Sequence, residues 1–373
     1  MGIKLSDDKR FWIGFSYVKG IGAVRFQALL DFFGSAEAAW KAPAEALYQS
    51  GLGNKVVENF LQTRAQISID KIWEKMAAIG VQVLIWEDDE YPRRLKEIAQ
   101  PPPVIYLRGT LKPEDDWAVG IVGTRRMTSY GRIITEDTAH LLAANGVTVV
   151  SGLARGVDAV AHNAAVRAGG RTIAVLGSGV DRIYPPEHRK LAEQIMECGV
   201  LLSDYPPGTP PEASNFPPRN RLISGLSLAV LIVEAGVRSG ALITAQFAAE
   251  QGRDVFAVPG NINAPHSAGP NRLIRDGAIP LLDPRDMLET LNLEQVPEFQ
   301  AARSVLPAEP KEARLLEILG SEPKHVDELT SLAGLPIEEV SATLTMMELK
   351  GMVRQVGGMN YVAVRELPPE YES

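Results

Sequence analysis

The chain has 373 residues, of which 45% are hydrophobic and 23% charged, so it resembles an ordinary globular protein with two or three domains. No apolar run approaches the roughly 20 residues of a membrane-spanning helix, and the N-terminal segment lacks the apolar core of a signal peptide. The single cysteine excludes an internal disulfide framework, so we expect a cytoplasmic protein without a membrane span. The five histidines lack the spacing of a zinc site, and no metal or cofactor is predicted.

The net charge of −8 comes from the C-terminal end of the chain. Residues 283–373 contain 17 Asp/Glu and 8 Lys/Arg, whereas the 282 residues before them contain 29 acids and 30 bases. Between residues 104 and 282, 15 of the 17 basic residues are arginine, whose planar guanidinium suits two-pronged contacts with phosphate. The acidic net charge therefore does not argue against a nucleic-acid site in the middle of the chain.

Residues 1–65 are predicted to form a helical domain. Two segments, YVKGIGAVRFQALLDFFGS and SGLGNKVVENFLQ, each place Gly-x-Gly before an amphipathic helix. Glycine allows the tight turn that such a helix start needs. The pattern resembles a helix-hairpin-helix (SAM-like) domain, although two simple helix–helix corners would give the same pattern.

Residues 66–292 are predicted to form an extended Rossmann-like α/β domain. It begins with the strand VQVLIW and a segment with several prolines, EYPRRLKEIAQPPPVIYLRG, which we assign to an edge or a connection. Apolar runs then alternate with helices, an order that indicates a parallel sheet covered on both faces. The predicted strands are 117–122, 147–151, 171–176, 200–205, 228–234, 254–259 and 278–282. The predicted helices are 130–145, 157–168, 187–198, 219–226 and 240–251.

Residues 293–310 contain three prolines and little apolar periodicity, and are predicted to be a linker. Residues 311–373 have the order of three helices and a hairpin that is typical of a winged helix. The candidate recognition helix, 336–350, carries Glu338, Glu339 and Glu348 against Lys350. Because duplex binding needs local positive charge, we expect this domain to contact protein rather than duplex DNA.

The loops that follow the predicted parallel strands are rich in glycine, serine and arginine. Ligands of open parallel sheets bind at the carboxyl ends of the strands, so these loops should converge on one site for several phosphates. The residues that they bring there are Gly123, Thr124, Arg125, Ser151, Gly152, Arg238, Ser239 and Gly240. Arg182 stands where a dinucleotide-binding G-x-G-x-x-G would need glycine, and the chain has no P-loop. Asp158 and His162 fit a helix-start carboxylate and a packed imidazole better than a catalytic pair, so no enzyme activity is predicted.

The segment NFPPRNRLISGL, 215–226, combines an aromatic residue with arginines near the same sheet edge. Arg219 and Arg221 could hold phosphates while Phe216 stacks on a base, a combination that fits single-stranded nucleic acid. Phe216 could equally be a buried anchor, with Arg219 or Arg221 in an ion pair at the edge of the core, for example with Glu234. The residue types alone do not separate these interpretations.

Six motifs occur in order over about 160 residues. They are GTRRMTSYG, SGLARGVDAVAH, TIAVLGSGVDRIYPPEH, NFPPRNRLISGLS, EAGVRSGALITAQFAAEQGRDVFAVPG and SAGPNRLIRDGA. This set resembles the DNA-processing protein A (DprA/Smf) family, and the segment EYPRRLKEIAQPPPVIYLRG resembles the extension of that family's Rossmann-like fold. The helical and winged-helix ends resemble the variable ends of its members less specifically.

The resemblance implies a non-enzymatic protein that binds single-stranded DNA, forms a homodimer through the Rossmann-like domain and loads the RecA recombinase during natural transformation. It implies phosphate binding by Gly123, Thr124 and Arg125, by Ser151 and Gly152, and by Ser239 and Gly240. It implies base and backbone contacts by Phe216, Arg219, Asn220 and Arg221. No motif marks residues that contact RecA.

Two alternatives remain open. Related Rossmann-like nucleotide hydrolases use a P-G-G-x-G-T-x-x-E loop with an acid after the glycines, whereas EAGVRSGALITAQ offers Gln246 in that part of the helix. A regulator that binds duplex DNA through the winged helix is disfavoured by the acidity of that domain.

Overall fold

The computed structural model describes residues 9–293, 310–319, 323–349, 352–356 and 358–363. The chain divides into two compact units between residues 294 and 295. Most of the predicted linker, 293–310, lies outside the described residues. The predicted domain bounds at 65/66 and 310/311 stay predictions.

The first unit begins with short helices, as the sequence predicts, and these helices pack around an aromatic cluster. The helices are α1 (Lys9–Ser16), α2 (Ala23–Phe33), α3 (Ala36–Lys41), α4 (Ala44–Gln49), α5 (Asn54–Gln66) and α6 (Ile69–Ala78). Trp12 and Phe15 contact Phe26 edge to face, with ring centroids 4.6 and 5.3 Å apart. Gly20 and Gly51 take φ values of +98° and +80° ahead of α2 and α5, a conformation that favours glycine.

Within residues 9–293, nine strands form one sheet in the order β1-β2-β6-β5-β4-β3-β7-β8-β9. The strands are β1 (Gln82–Ile85), β2 (Val104–Gly109), β3 (Ala118–Val122), β4 (Thr148–Ser151), β5 (Thr172–Val175), β6 (Val200–Ser203), β7 (Ala229–Ile232), β8 (Asp254–Ala257) and β9 (Ile279–Pro280). The seven strands β6-β5-β4-β3-β7-β8-β9, which are consecutive across the sheet, all pair in parallel. Each of them lies inside a predicted apolar run. The predicted parallel sheet is confirmed.

The assignment of the proline-punctuated segment to an edge or a connection is wrong for its last part. β2 pairs antiparallel with β1 on one side and with β6 on the other, so β1 is the edge strand. The three prolines at 101–103 precede β2 and remove no donor from its ladder. Arg93–Lys96 forms a short helix, α7.

Helices cover both faces of the sheet. On one face α8 (Ser129–Ala144), α9 (Val157–Arg167) and α10 (Arg189–Cys198) pack in sequence, and on the other α11 (Phe216–Leu226) packs between α7 and α12 (Gly240–Glu250). Two further helices, α13 (Ala268–Arg275) and α14 (Arg285–Thr290), follow. The aromatic cluster of the N-terminal helices continues onto β1 and β2, where the hydroxyls of Ser16 and Tyr106 lie 2.5 Å apart.

Helix α11 begins at Phe216, three residues before its predicted start. Pro217 and Pro218 occupy its first turn, where the missing N–H groups would have no intrahelical partner in any case. Phe216 therefore has helical backbone geometry and does not project from an extended loop. This start determines the directions of the side chains at 219, 220 and 221.

The second unit has the predicted winged-helix order. Its elements are α15 (Pro310–Leu319), β10 (Lys324–His325), α16 (Val326–Ala333), α17 (Ile337–Leu349), β11 (Val353–Gln355) and β12 (Asn360–Ala363). The strands pair antiparallel in the order β10-β12-β11. Helix α17 exposes Glu338 and Glu348. In the part of the chain that the structure describes, every helix is too short or too polar to cross a bilayer.

Candidate nucleic-acid interface

A crevice of about 870 Å³ opens at the carboxyl ends of β3 and β7. The order of the sheet reverses at β3, since β4 lies on one side of it and β7 on the other, and such a reversal is where open α/β sheets bind ligands. Nine of the twelve candidate site residues line this crevice: Gly123, Thr124, Arg125, Phe216, Arg219, Asn220, Arg238, Ser239 and Gly240. Ser151, Gly152 and Arg221 are not part of its lining.

The loop after β3 is held by backbone contacts on both sides. The Thr124 N–H donates to the carbonyl of Glu234 over 2.7 Å, and the Thr124 carbonyl accepts from Val157 over 3.2 Å. A Cβ at Gly156 would lie 2.2 Å from the Thr124 carbonyl oxygen, so only glycine allows this approach. The loop is thus fixed against β7 and α9, and it presents the exposed side chain of Arg125 to the crevice.

Glu234 binds Thr128, the N-cap residue of α8, instead of pairing with an arginine. Its carboxylate accepts from the Thr128 N–H over 2.9 Å and from the Thr128 hydroxyl over 2.5 Å. A Cβ at Gly131 would lie 2.6 Å from this carboxyl carbon, which is why glycine follows in the first turn of α8. The suggested ion pair of Glu234 with Arg219 or Arg221 is therefore wrong.

The loop after β7 adds a second cation and a helix start. Ser239 caps α12 by accepting from the Ala241 N–H over 3.3 Å, and Arg238 beside it is exposed. Asn220 donates from Nδ2 to the carbonyl of Gly240 over 3.2 Å, which ties α11 to this loop. The N-terminal end of α12 and two exposed guanidinium groups from different loops make the crevice attractive to an anion.

Phe216 lies half-buried on the wall of the crevice. A Cβ at Gly177 would be 2.8 Å from Phe216 Cδ1, so the ring rests against the backbone after β5. The guanidinium carbons of Arg125 and Arg219 lie 5.9 and 5.8 Å from its centroid, which is cation–π distance. The ring of Tyr184 is 5.8 Å away, tilted by 37°.

Arg219 is directed into the protein and is 4% exposed. Its Nη1 donates to the carbonyl of Gly152 over 2.9 Å and also to the carbonyl of Val175. Burial lowers the pKa of Arg219 to about 10, against the opposing effect of Asp158, so the guanidinium stays charged at neutral pH. This side chain ties α11 to the ends of β4 and β5 beneath the crevice.

The polar groups of Ser151 and Gly152 are also engaged internally. Ser151 is fully buried and its hydroxyl donates to the carbonyl of Ile121 over 2.6 Å. The Gly152 N–H donates to Asp158 Oδ2 over 3.1 Å, and the Ala154 N–H reaches the same oxygen over 3.3 Å. In this structure these two residues support the crevice from below.

Arg221 lies on the other side of α11. Its Nη2 pairs with Asp204 Oδ2 over 2.6 Å and its Nη1 donates to the carbonyl of Gln100 over 2.7 Å. The ion pair at the edge of the core that the sequence left open thus exists for Arg221, with Asp204 as the partner.

Asp158 and His162 occupy the interior of the same region, as a helix-start carboxylate and a packed imidazole. Burial raises the pKa of Asp158, whereas the charge of Arg219 lowers it. His162 is fully buried, and its Nδ1 lies 2.7 Å from the Thr172 hydroxyl. Burial, assisted by the charges of His188 and Arg219, lowers the pKa of His162 to about 3.

This shift predicts acid sensitivity. Between pH 6.5 and about 3 the unfolded chain binds a proton at residue 162 that the folded protein does not, so stability falls as the pH falls. When the pH is lowered from 6 to 5, the free energy of unfolding should fall by about 1 kcal/mol more in the wild type than in His162→Gln. Urea unfolding at each pH measures this difference. The raised pKa of Asp158 makes stability change with pH in the opposite direction, but Asp158 is present in both proteins, so its effect cancels in the comparison. Parallel stability–pH curves would contradict the prediction.

Family models match both units. A model described as DNA recombination-mediator protein A matches residues 82–292, more than half of the chain, and one described as DprA winged helix domain matches residues 299–359. The chain belongs to the DprA/Smf family.

One relative and two solved structures show the extent of the likeness to DprA/Smf proteins. Protein Smf of Synechocystis is 37% identical, over 95% of this chain and 99% of the relative. The X-ray structure of DprA from Streptococcus pneumoniae is 33% identical, with a TM-score of 0.66 over 77% of this chain and 98% of that chain. A structure that describes single-stranded DNA binding by DprA from Helicobacter pylori is also 33% identical, with a TM-score of 0.51 over 56% of this chain and 95% of that chain.

Among the further residues that line the crevice of this DprA/Smf chain, Tyr184 and Arg126 offer an aromatic ring and a cation that were not predicted as site residues. Tyr184 is 39% exposed and belongs to the loop after β5, and Arg126 is exposed next to Arg125. Both follow parallel strands, so the rule that placed the other loops at this edge would also have placed them.

Proposed function

We propose that this protein binds single-stranded DNA in the crevice at the carboxyl ends of β3 and β7. The observation that carries the proposal is that two exposed arginines from separate loops, Arg125 and Arg238, line one crevice together with Phe216 and Tyr184. The rings of Phe216 and Tyr184 lie 5.8 Å apart. Guanidinium groups hold phosphates of any sequence, and an aromatic ring stacks on any base. The crevice therefore suits an unpaired strand, whose bases are free to leave the stack.

A binding role explains the crevice better than hydrolysis. The carboxylate that lines it, Asp158, is buried and accepts two backbone N–H groups, which gives it a structural task. In the part of α12 where the hydrolase loop has an acid, Gln246 donates to Glu250 over 2.8 Å. We therefore include the absence of catalytic activity in the proposal.

The proposal also includes the partners that the family resemblance implies. Bound single strand would be passed to the RecA recombinase in the cytoplasm, with two copies of the chain joined through the Rossmann-like unit. Family membership and the single-stranded DNA binding described for the Helicobacter pylori relative support this assignment. RecA filament growth on coated single strand, and the mass of the protein in solution, are the measurements that address these two partners.

Arg125→Ala tests the proposed function directly. The exposed guanidinium contributes a phosphate contact but no packing, so we expect the affinity for an oligothymidylate to fall about tenfold at ~0.1 M salt. The plot of log affinity against log salt should become shallower by about one phosphate contact. Fluorescence anisotropy of labelled oligonucleotide measures both quantities.

Arg167→Ala provides the matched control. Arg167 is exposed on α9 and pairs with Glu136 over 3.6 Å, away from the crevice lining. Arg167→Ala removes the same charge from the protein as Arg125→Ala. If the effect of Arg125 is local, Arg167→Ala should change the affinity for the oligothymidylate by less than about twofold. Equal affinities of wild type and Arg125→Ala would reject the crevice as the phosphate site.

A further inference from the structure

A second cavity, of about 350 Å³, lies between the N-terminal helices and the sheet, and we call it the junction cavity. Trp12, Phe15 and Phe26 of α1 and α2 line one side of it. The segments before β2 and after β6 line the other, together with Pro218 of α11. Its volume lies within the range of small-ligand pockets, roughly 300–1,000 Å³.

One residue that lines the junction cavity has a buried polar atom without a hydrogen-bond partner. Asp204 uses Oδ2 for its pair with Arg221, whereas its Oδ1 is buried and accepts no hydrogen bond from the described residues. A buried acceptor without a donor is unfavourable, and native proteins satisfy most such groups. A ligand that places an N–H group against Asp204 Oδ1 would supply the missing donor.

The junction cavity and the crevice share two walls. On α11, Phe216 and Pro217 line the crevice, while Pro218 lines the junction cavity. The segment after β6 also runs from one to the other, since Asp204–Pro206 line the junction cavity and Pro211 lines the crevice. A strand that leaves the crevice across the first turn of α11 thus reaches the mouth of the junction cavity.

We propose that the junction cavity accepts one nucleobase of the strand that is held in the crevice, with an N–H group of the base donating to Asp204 Oδ1. The inference rests on the proposed function and adds a second contact region to it. Each of the four DNA bases carries at least one N–H donor, so a single acceptor imposes little sequence preference.

The chemistry of the cavity favours a base over a phosphate. The cation that faces it, Arg221, is already neutralised by Asp204 at 2.6 Å and also donates to Gln100. The second carboxylate oxygen would repel an anion but attract an N–H donor. Aromatic and proline walls suit a planar, weakly hydrated ring.

Gly22 offers a way to block the cavity without disturbing the fold. It lines the cavity, it is exposed, and a Cβ built on it meets no atom within 4 Å. Its φ of −107° suits any residue. Gly22→Phe should therefore fill the mouth of the cavity and weaken binding of an oligonucleotide of about 12 residues roughly tenfold.

Gly53→Phe is the matched control. Gly53 precedes α5 in the second Gly-x-Gly hairpin as Gly22 precedes α2 in the first, with an open Cβ position and a φ of −63°. It is not part of the lining of the junction cavity. Gly53→Phe should change affinity by less than about twofold, and thermal unfolding should confirm that both variants fold like the wild type.

Photo-crosslinking locates the base directly. Oligonucleotides that carry 5-iodouracil at successive positions are irradiated with the full-length protein, and the modified peptides are identified by mass spectrometry. We expect one position to label Trp12 or Tyr205 in the junction cavity, while other positions label Phe216 or Tyr184. Gly22→Phe should lose the label in the junction cavity and keep the crevice labels, and Gly53→Phe should keep both.

The outcomes separate this inference from the proposed function. Labels confined to Phe216 or Tyr184, with normal affinity of Gly22→Phe, would overturn the junction cavity as a base site and leave the crevice intact. The absence of binding and of labels at both places would overturn the proposed function and the inference together. Labelling of Trp12 or Tyr205 by free 5-iododeoxyuridine, but not by the oligonucleotides, would identify a free nucleoside as the occupant and reject the strand.

Discussion

Replacing Arg219 with leucine is expected to lower the free energy of unfolding by roughly 2–5 kcal/mol. The substitution leaves the buried carbonyl groups of Gly152 and Val175 without their donor, and each such loss costs about 1–3 kcal/mol. It also removes the positive charge that favours the ionised form of buried Asp158. Arg219→Lys should recover only part of the loss, because an ammonium lacks the planar fork of a guanidinium. Urea unfolding followed by circular dichroism measures the effect.

Arg125→Leu is the comparison that distinguishes the structural role of Arg219 from a direct contact with DNA. Arg125 and Arg219 lie at nearly equal distances from the ring of Phe216, but Arg125 is exposed. Arg125→Leu should therefore leave the urea midpoint unchanged. The contrary outcome is that Arg219→Leu has the urea midpoint of the wild type but binds DNA with lower affinity and with a weaker dependence of affinity on salt. That outcome would show that Arg219 contacts phosphate, as the family motif implies, and would reject its structural role.

The sheet could be predicted because its strands are buried on both faces. Runs such as LAVLIVE have no polar alternation, and a sheet whose strands are apolar on both faces requires helices on either side. Glycine- and serine-rich loops then mark the carboxyl ends of the strands, and the topology brings them together. These local signals were sufficient to place nine of the twelve candidate residues at one crevice.

The directions of Arg219 and Arg221 could not be predicted without the start of α11. Residues two apart on a helix face different sides, whereas residues three or four apart share a side. Because the helix begins at Phe216, Phe216 and Asn220 share the side that faces the crevice. Pro218 and Arg221 share the side that faces the junction cavity. The Pro-Pro pair is the signal for the early start, since proline is favoured in the first helical turn. The interior position of Ser151 depends on tertiary packing, which no local pattern encodes.

Phe216→Ala is expected to weaken binding of single-stranded DNA by about 1–3 kcal/mol, which is the usual contribution of one stacked base. The loss should be similar at low and high salt, because stacking releases no counterions. Phe216→Trp should restore most of the affinity by supplying another aromatic face. Phe32→Ala is the control, since Phe32 is 52% exposed on α2, outside the lining of both cavities, and should not affect DNA binding.

The alternative role of Phe216 is structural, and the half-burial of its ring against Gly177 makes the distinction quantitative. A fully buried phenylalanine such as Phe60 costs about 3–5 kcal/mol of stability when it is truncated to alanine. If Phe216 mainly stacks on a base, Phe216→Ala should lower the stability of the fold clearly less than Phe60→Ala does, while it still weakens DNA binding strongly. The decisive measurement pairs the urea midpoint with oligonucleotide affinity on the same Phe216→Ala preparation. A fall in stability as large as that of Phe60→Ala, with DNA binding lost in proportion to the unfolded fraction, would reject stacking as the main role of Phe216.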